Sequence, residues 1–150
     1  MRIGLVMASI GLILTGCASS GPLGKDVLVA PLTPQKSRLV IYRTSPLGFA
    51  VQPDYVIDSK AVAASQPEGF VVCQLNPGKH DVSVGNFELN VNLGGGSDKA
   101  SLVLRPGQTV YLKAEPQLGL TIGVITLSEV TESQGQADTA SLHKIEAACA

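Results

Sequence analysis

From Arg38 to Leu127 the chain breaks into short, largely apolar runs, each ended by residues that bend a backbone. Runs of this length are too short for ordinary helices. Alternation of apolar and polar residues, with Gly, Pro and Asn between runs, is the pattern of strands joined by tight turns. Arg38-Leu39-Val40-Ile41-Tyr42-Arg43 opens the series and is apolar on both faces, so it belongs in the centre of a sheet. Tyr55 to Val62 reads as a hairpin turning at Asp58-Ser59-Lys60. Gly69 to Leu75 is the next strand, closed by Asn76-Pro77-Gly78, where Pro presets φ and Gly accepts a positive one.

His80 to Val84 and Phe87 to Leu93 alternate cleanly, and Gly94-Gly95-Gly96-Ser97 connects onward. Ala100 to Leu104 leads into a second Pro-Gly turn at Arg105-Pro106-Gly107-Gln108. Thr109 to Ala114 and then Leu118 to Leu127 complete the strands. Seven or eight strands at this spacing predict an all-β fold, an antiparallel β-sandwich. Residues 129–150 form a polar tail, with a short helix expected over Ser141 to Ala148 because Leu142 and Ile145 would share a face.

The N-terminus obeys different physics. Met1-Arg2 is followed by the apolar run Ile3 to Leu14 and then by Thr15-Gly16-Cys17. A positive charge, a short apolar core and small residues make a secretory signal. The run falls short of the roughly 20 residues a helix needs to cross a ~30 Å hydrocarbon core. Leu14-Thr15-Gly16-Cys17 resembles the bacterial lipobox. That resemblance implies cleavage between Gly16 and Cys17, with a thioether-linked diacylglyceryl group on Cys17 and acylation of its new amine. Chains of this kind stay on the membrane, at about 0.8 kcal/mol per buried CH₂. Ala18, where an Asp would favour inner-membrane retention, points to the outer membrane and a periplasm-facing anchor. Residues 17–37, with Ser19-Ser20-Gly21-Pro22-Leu23-Gly24, Pro31 and Pro34, read as the lipidated end and a flexible tether to a domain over 38–128.

Composition removes whole classes of function. Lys and Arg number 11 against 12 Asp and Glu, and Arg2 departs with the signal. No basic block remains to neutralise a run of phosphates, so nucleic acid is not an expected partner. Of three Cys, Cys17 is committed to lipid. Cys73 and Cys149 either pair, stapling the tail to a central strand, or stay apart as a buried thiol and a frayed one; spacing leaves both open.

The residues that carry chemistry are sparse. His80 follows a turn between Lys79 and Asp81, and no Ser has the Gly-x-Ser-x-Gly setting of a nucleophile elbow. It reads as a rim residue held by a turn carbonyl. His143 reads as solvated, and two histidines so far apart make no metal site. Asp54, Asp58, Asp81, Glu88 and Glu115 fall at turns or outer faces, so no paired acids are expected. The Gly94 to Lys99 stretch lacks the ending of a phosphate loop. No cofactor is expected.

Two features would support binding. Leu118, Leu120, Ile122 and Val124 lie on a long apolar run that is either a bulged core strand or an exposed edge that docks a partner. Arg38, Tyr42, Arg43, Tyr55 and Tyr111 would either line a surface for sugars and anions or lie in the core.

The strand Leu39 to Arg43, the hairpin Val56-Ile57-Asp58, and the stretches Leu75 to His80 and Leu104 to Leu112 together resemble a family of envelope lipoproteins catalogued as domain of unknown function 2846. The likeness spans about Arg38 to Leu127 and extends to PEGA modules. Where such hairpins often carry Asp-Gly, this chain has Asp58-Ser59-Lys60. The resemblance implies a transthyretin-like sandwich with no catalytic residues to transfer. The expected role is a non-enzymatic accessory or interaction module that meets an envelope protein or glycan. The alternatives are a periplasmic enzyme or enzyme inhibitor whose site is assembled from distant residues, and a module that binds peptidoglycan or another glycan.

Overall fold

The computed structural model describes residues 19–47, 52–85, 98–117 and 124–149, with the Val124 side chain excepted. Two sheets face each other across one apolar layer. The first contains β1 (Ser37–Arg43), β4 (Gly69–Leu75), β7 (Thr109–Gln117), β8 (Val124–Val130) and the two-residue β9 (His143–Lys144), in the order β8-β7-β1-β4-β9. The second contains β2 (Asp54–Ile57), β3 (Lys60–Ala64), β5 (Gly78–Val84) and β6 (Lys99–Leu104), in the order β3-β2-β5-β6.

The sandwich is all-β as the turn spacing predicts, but the first sheet is mixed. β1 is antiparallel to β4, with Leu39 opposite Cys73, and parallel to β7, with Leu39 opposite Val110. The second sheet supplies the crossover that a parallel pair requires. β1 is buried on both faces, as are Val110, Tyr111 and Leu112 of β7 where the two strands pair, and parallel pairing is at home in such a setting. Every residue of β1 is buried, so its continuous apolarity was a sign of its central place.

Between the sheets, Leu39, Ile41, Val71, Cys73, Leu112 and Ile125 from the first meet Tyr55, Ile57, Val62, Val82, Leu102 and Leu104 from the second. The first sheet has a second apolar face. Val40, Tyr42, Phe70 and Tyr111 point away from the second sheet and form their own buried cluster with Leu142. Leaving those four side chains wet would forfeit about 1.5–3 kcal/mol for each large one. The two ends of the described chain cover them.

The segment expected to be a tether is half of that cover. Residues 19–30 are held on the domain, with Val27 and Leu28 packed on the outer cluster. One helical turn, α1 (Gly24–Val27), is tied by the Gly24 amide to the Leu142 carbonyl (2.9 Å). Arg38 donates to the carbonyls of Leu28 (2.9 Å) and Ala30 (2.6 Å), fixing the segment's far end. Gly and Pro here set close contact rather than freedom, since a Cβ on Gly24 would lie 2.1 Å from the Thr139 carbonyl oxygen. The folded unit therefore extends beyond the expected 38–128 in both directions.

The other half is the C-terminal region, and its helix is not where the sequence pattern places it. α2 spans Glu132–Thr139, with the Thr131 hydroxyl accepting from the Gln134 amide as N-cap. The expected helix at 141–148 is replaced by β9 and an extended run. Leu142 enters the outer cluster and Ile145 the core between the sheets, so a helix presenting both on one face is excluded. α2 has no apolar stripe. It docks through Gly135, where a Cβ would sit 2.2 Å from the Tyr111 ring, and through Asp138. Asp138 accepts from the Tyr42 hydroxyl at 2.7 Å and from Gln134 at 2.6 Å.

Beyond β9 the tail closes the gap between the sheets. The Ala148 amide donates to the Val62 carbonyl of β3 (2.8 Å), and Cys149 is disulfide-bonded to Cys73 of β4 with Cα atoms 5.5 Å apart. Of the two readings left open for these cysteines, the pair is the one that forms. A cross-link over 76 residues of separation removes a large share of denatured-chain entropy. Cys149→Ser is expected to lower unfolding free energy by about 2–4 kcal/mol. The check is a urea titration of both forms, with a dithiothreitol-treated wild type falling to the same midpoint.

Candidate functional site

The residues able to do chemistry sort into three groups. The first is the hairpin turn between β2 and β3. Asp58 and Ser59 both adopt left-handed backbone, φ 49° and 68°, the two-residue turn that suits a twisted hairpin. Glycine usually fills the second position. Here the turn is held instead by the Asp58 side chain, which accepts from the Asp81 amide (3.0 Å) and meets His80 Nδ1 (2.7 Å).

His80 is the centre of this cluster. Its Nε2 lies 2.8 Å from the Asn76 carbonyl, in the neighbouring β4–β5 turn. Both partners are acceptors, so both ring nitrogens donate only in the imidazolium form. Partial burial works against the charge, but the Asn76 carbonyl and the Asp58 carboxylate outweigh it and raise the His80 pKa. Asp58 moves the other way: desolvation is the largest single effect and pushes its pKa up, but the His80 and Asp81 hydrogen bonds and the His80 charge together outweigh it and lower the pKa.

The arrangement is a clamp between two turns. A general base needs a free ring nitrogen facing a substrate, and Asn76 occupies the one that Asp58 leaves. Ser101 donates to Asp81, not to His80. The turn-carbonyl partner expected for His80 is therefore present, with an acid partner that sequence spacing did not reveal. Asp58 is 22 positions away and reaches His80 only through the register Ile57 opposite Val82.

The second place is the set of Tyr and Arg residues considered as a binding surface. None forms one. Tyr42, Tyr55 and Tyr111 are at most 2% exposed, Tyr55 lying between the sheets and the other two under the chain ends. Arg38 is spent on Leu28 and Ala30. Arg43 is fully buried and donates to the carbonyls of Ser65 (2.9 Å) and Leu47, tying two loops to the end of β1. Near it, the Tyr55 hydroxyl and Ser65 Oγ have no hydrogen-bond partner among the described residues, a setting for a bridging water.

The third place is the junction of the two chain ends. Ser19 is buried and donates to the Glu68 carbonyl at 3.0 Å. His143, expected to be solvated, sits in β9 and donates from Nδ1 to the Gly21 carbonyl at 2.7 Å. The Lys144 amide donates to the Pro22 carbonyl at 2.8 Å.

Of the residues singled out for docking, Leu118, Leu120 and Ile122 lie outside the described residues, as does the Val124 side chain; Val124 itself begins β8. Gly16 and Cys17, the expected cleavage and lipidation positions, also lie outside them. No group of three or more His, Cys, Asp or Glu able to hold a metal ion occurs among the described residues. None of their helices is long and apolar enough to cross a membrane.

No protein-family model matches the chain, and no solved structure does. It is similar to an uncharacterized protein of Haemophilus influenzae, 27% identical over 106 residues. The match covers 69% of this chain and 59% of that protein, so the chain spans little more than half of its relative's length.

The clamp makes stability depend on pH from both sides. With a raised folded pKa, the His80 contribution is complete below about pH 6.5 and is lost as pH rises through the folded value. With a lowered folded pKa, the Asp58 contribution is complete above about pH 3.9 and is lost as pH falls through its folded value. The pair is therefore strongest in mildly acidic solution. Asp58 is half exposed, which limits the effect to about 1 kcal/mol or less. Thermal melts from pH 4 to 9 should show a wild-type advantage over His80→Gln near pH 5.5 that shrinks above neutrality. An advantage constant across that range would show that His80 acts through packing alone.

Proposed function

We propose that the chain is an exported lipoprotein whose sandwich serves as a non-enzymatic accessory or interaction module, anchored by an acylated Cys17 and facing the periplasm from the outer membrane. The lipobox Leu14-Thr15-Gly16-Cys17 behind its short apolar run is the observation that carries this reading. The disulfide supports it, because a structural Cys pair persists in an oxidising compartment and is rare in a reducing one.

The interaction role rests on how the chemically able groups are used. His80 and Asp58 hold turns together, the Tyr rings fill the core, and the Arg side chains brace loops. The resemblance to the domain of unknown function 2846 family agrees with this reading and remains part of the proposal. Burial of the five Tyr and Arg side chains removes the surface on which a glycan-binding alternative was drawn. An envelope protein is the preferred partner class.

The anchor is tested by expressing the full chain in a lipoprotein-processing bacterium and weighing the N-terminal peptide. A diacylglyceryl-modified peptide starting at Cys17 is expected, and Cys17→Ser should leave an unprocessed chain without lipid. An unmodified wild-type Cys17 would defeat the lipoprotein reading. For the module, crosslinking of intact cells should recover one defined envelope protein with the wild type, and markedly less with Cys17→Ser.

A further inference from the structure

A lipid carried by Cys17 would leave the domain from a fixed place, because the chain is held from Ser19 onward. Ser19 is 8% exposed, and its hydroxyl is on the Glu68 carbonyl. Gly21 accepts from His143, Pro22 from Lys144, and the Gly24 amide donates to Leu142. A Cβ on Gly21 would lie 2.1 Å from the Lys144 carbonyl oxygen, so the two segments are in direct backbone contact. Two peptide links, through Ala18, separate the Cα of Cys17 from that of Ser19. Fully extended, they reach about 7 Å.

That exit lies at one end of the sandwich. Arg43, the last residue of β1, pairs with Gly69, which follows the Pro67-Glu68 turn holding Ser19. Leu47, 53% exposed, is tied to the same end through Arg43. The first residue of β1, Ser37, marks the other end, where its hydroxyl holds the Arg105 carbonyl at 2.7 Å. The Arg105-Pro106-Gly107 and Asn76-Pro77 turns share that end, Ser37 pairing with Leu75. Seven residues of strand put the two ends about 20 Å apart.

We propose that the sandwich stands end-on against the bilayer. Its Ser19, Leu47 and Pro67-Glu68 end meets the phospholipid headgroups, and its Asn76 and Arg105 turns face the aqueous compartment. This rests on lipidation at Cys17 and adds an orientation to it. A leash of about 7 Å is shorter than the domain, so the far end cannot turn to the membrane unless residues 19–28 detach from β9 and α2. The exposed Leu47 side chain sits where a polar–apolar boundary would accept it. Partners then reach the domain at its far-end turns and along its sides, within a fixed distance of the membrane.

The test uses the mature lipidated full chain in vesicles of phosphatidylethanolamine and phosphatidylglycerol that contain a headgroup nitroxide lipid. Leu47→Cys and Arg105→Cys are each labelled with a fluorophore; Cys17 is thioether-linked and Cys73–Cys149 oxidised, so the new thiol takes the label. Quenching at position 47 is expected to exceed that at 105 severalfold. Inserting 20 Gly/Ser residues after Ala18, a coil of about 25 Å, should bring the two close together. Equal quenching without the insert, or stronger quenching at 105, on vesicles whose protein carries diacylglyceryl-Cys17 by mass spectrometry, would overturn the orientation and leave the anchor standing. An unmodified Cys17 would remove both.

Discussion

The fold depends on a sheet that is apolar on both sides. β1 cannot have a wet face, since Leu39 and Ile41 point one way and Val40 and Tyr42 the other, and all four are fully buried. One face is closed by the second sheet, as in any sandwich. The other has no third sheet to meet among the described residues, and Val40, Tyr42, Phe70 and Tyr111 would be left in water. Residues 19–30 and α2 close it, and the other contacts of the chain ends follow. Arg38 reaches back to Leu28 and Ala30, Gly135 lies against Tyr111, and Tyr42 donates to Asp138. The tail beyond α2 then crosses to the other side of the sheet, where Ile145 and the Cys149 disulfide seal the core.

This requirement changes the meaning of the N-terminal segment. A chain rich in Ser, Gly and Pro next to a lipidation motif reads as a spacer. Docked against β9 and α2, it is part of the folded unit, and lipidation at Cys17, as proposed, would give the domain a defined attitude toward a membrane. The same glycines that suggest freedom in the sequence permit backbone contact in the structure. At Gly21 and Gly24 a Cβ would lie 2.1 Å from a backbone carbonyl oxygen, and a methyl group would not fit.

Among the described residues the strands were legible because alternation and turn chemistry are local; the expected strand Phe87 to Leu93 and the first part of Leu118 to Leu127 lie outside those residues. Gly69 to Leu75 falls where its apolar run predicts, and Asp58-Ser59 forms the turn despite lacking glycine. What was not legible depends on distant neighbours. The parallel pairing of β1 with β7 leaves no mark beyond the apolarity of both strands. α2 is polar throughout and announces itself only by Thr131 at its cap, whereas the spacing of Leu142 and Ile145 imitates a helix while serving two different cores. The His80 clamp was half visible: the turn carbonyl follows from proximity, but Asp58 meets His80 only once the register of β2 on β5 is known. The pairing of Cys73 with Cys149 likewise required the path of the tail.

The N-terminal segment is a structural part of the domain. Amide hydrogen exchange on the purified protein tests this most directly, at the amides of Gly24 and Lys144, which donate to Leu142 and Pro22. The account predicts protection at both within about tenfold of the β1 amides, because opening them uncovers Phe70 and Tyr111. Exchange at the rate of an unstructured peptide, with β1 still protected, would contradict it and return residues 19–36 to the status of a free tether.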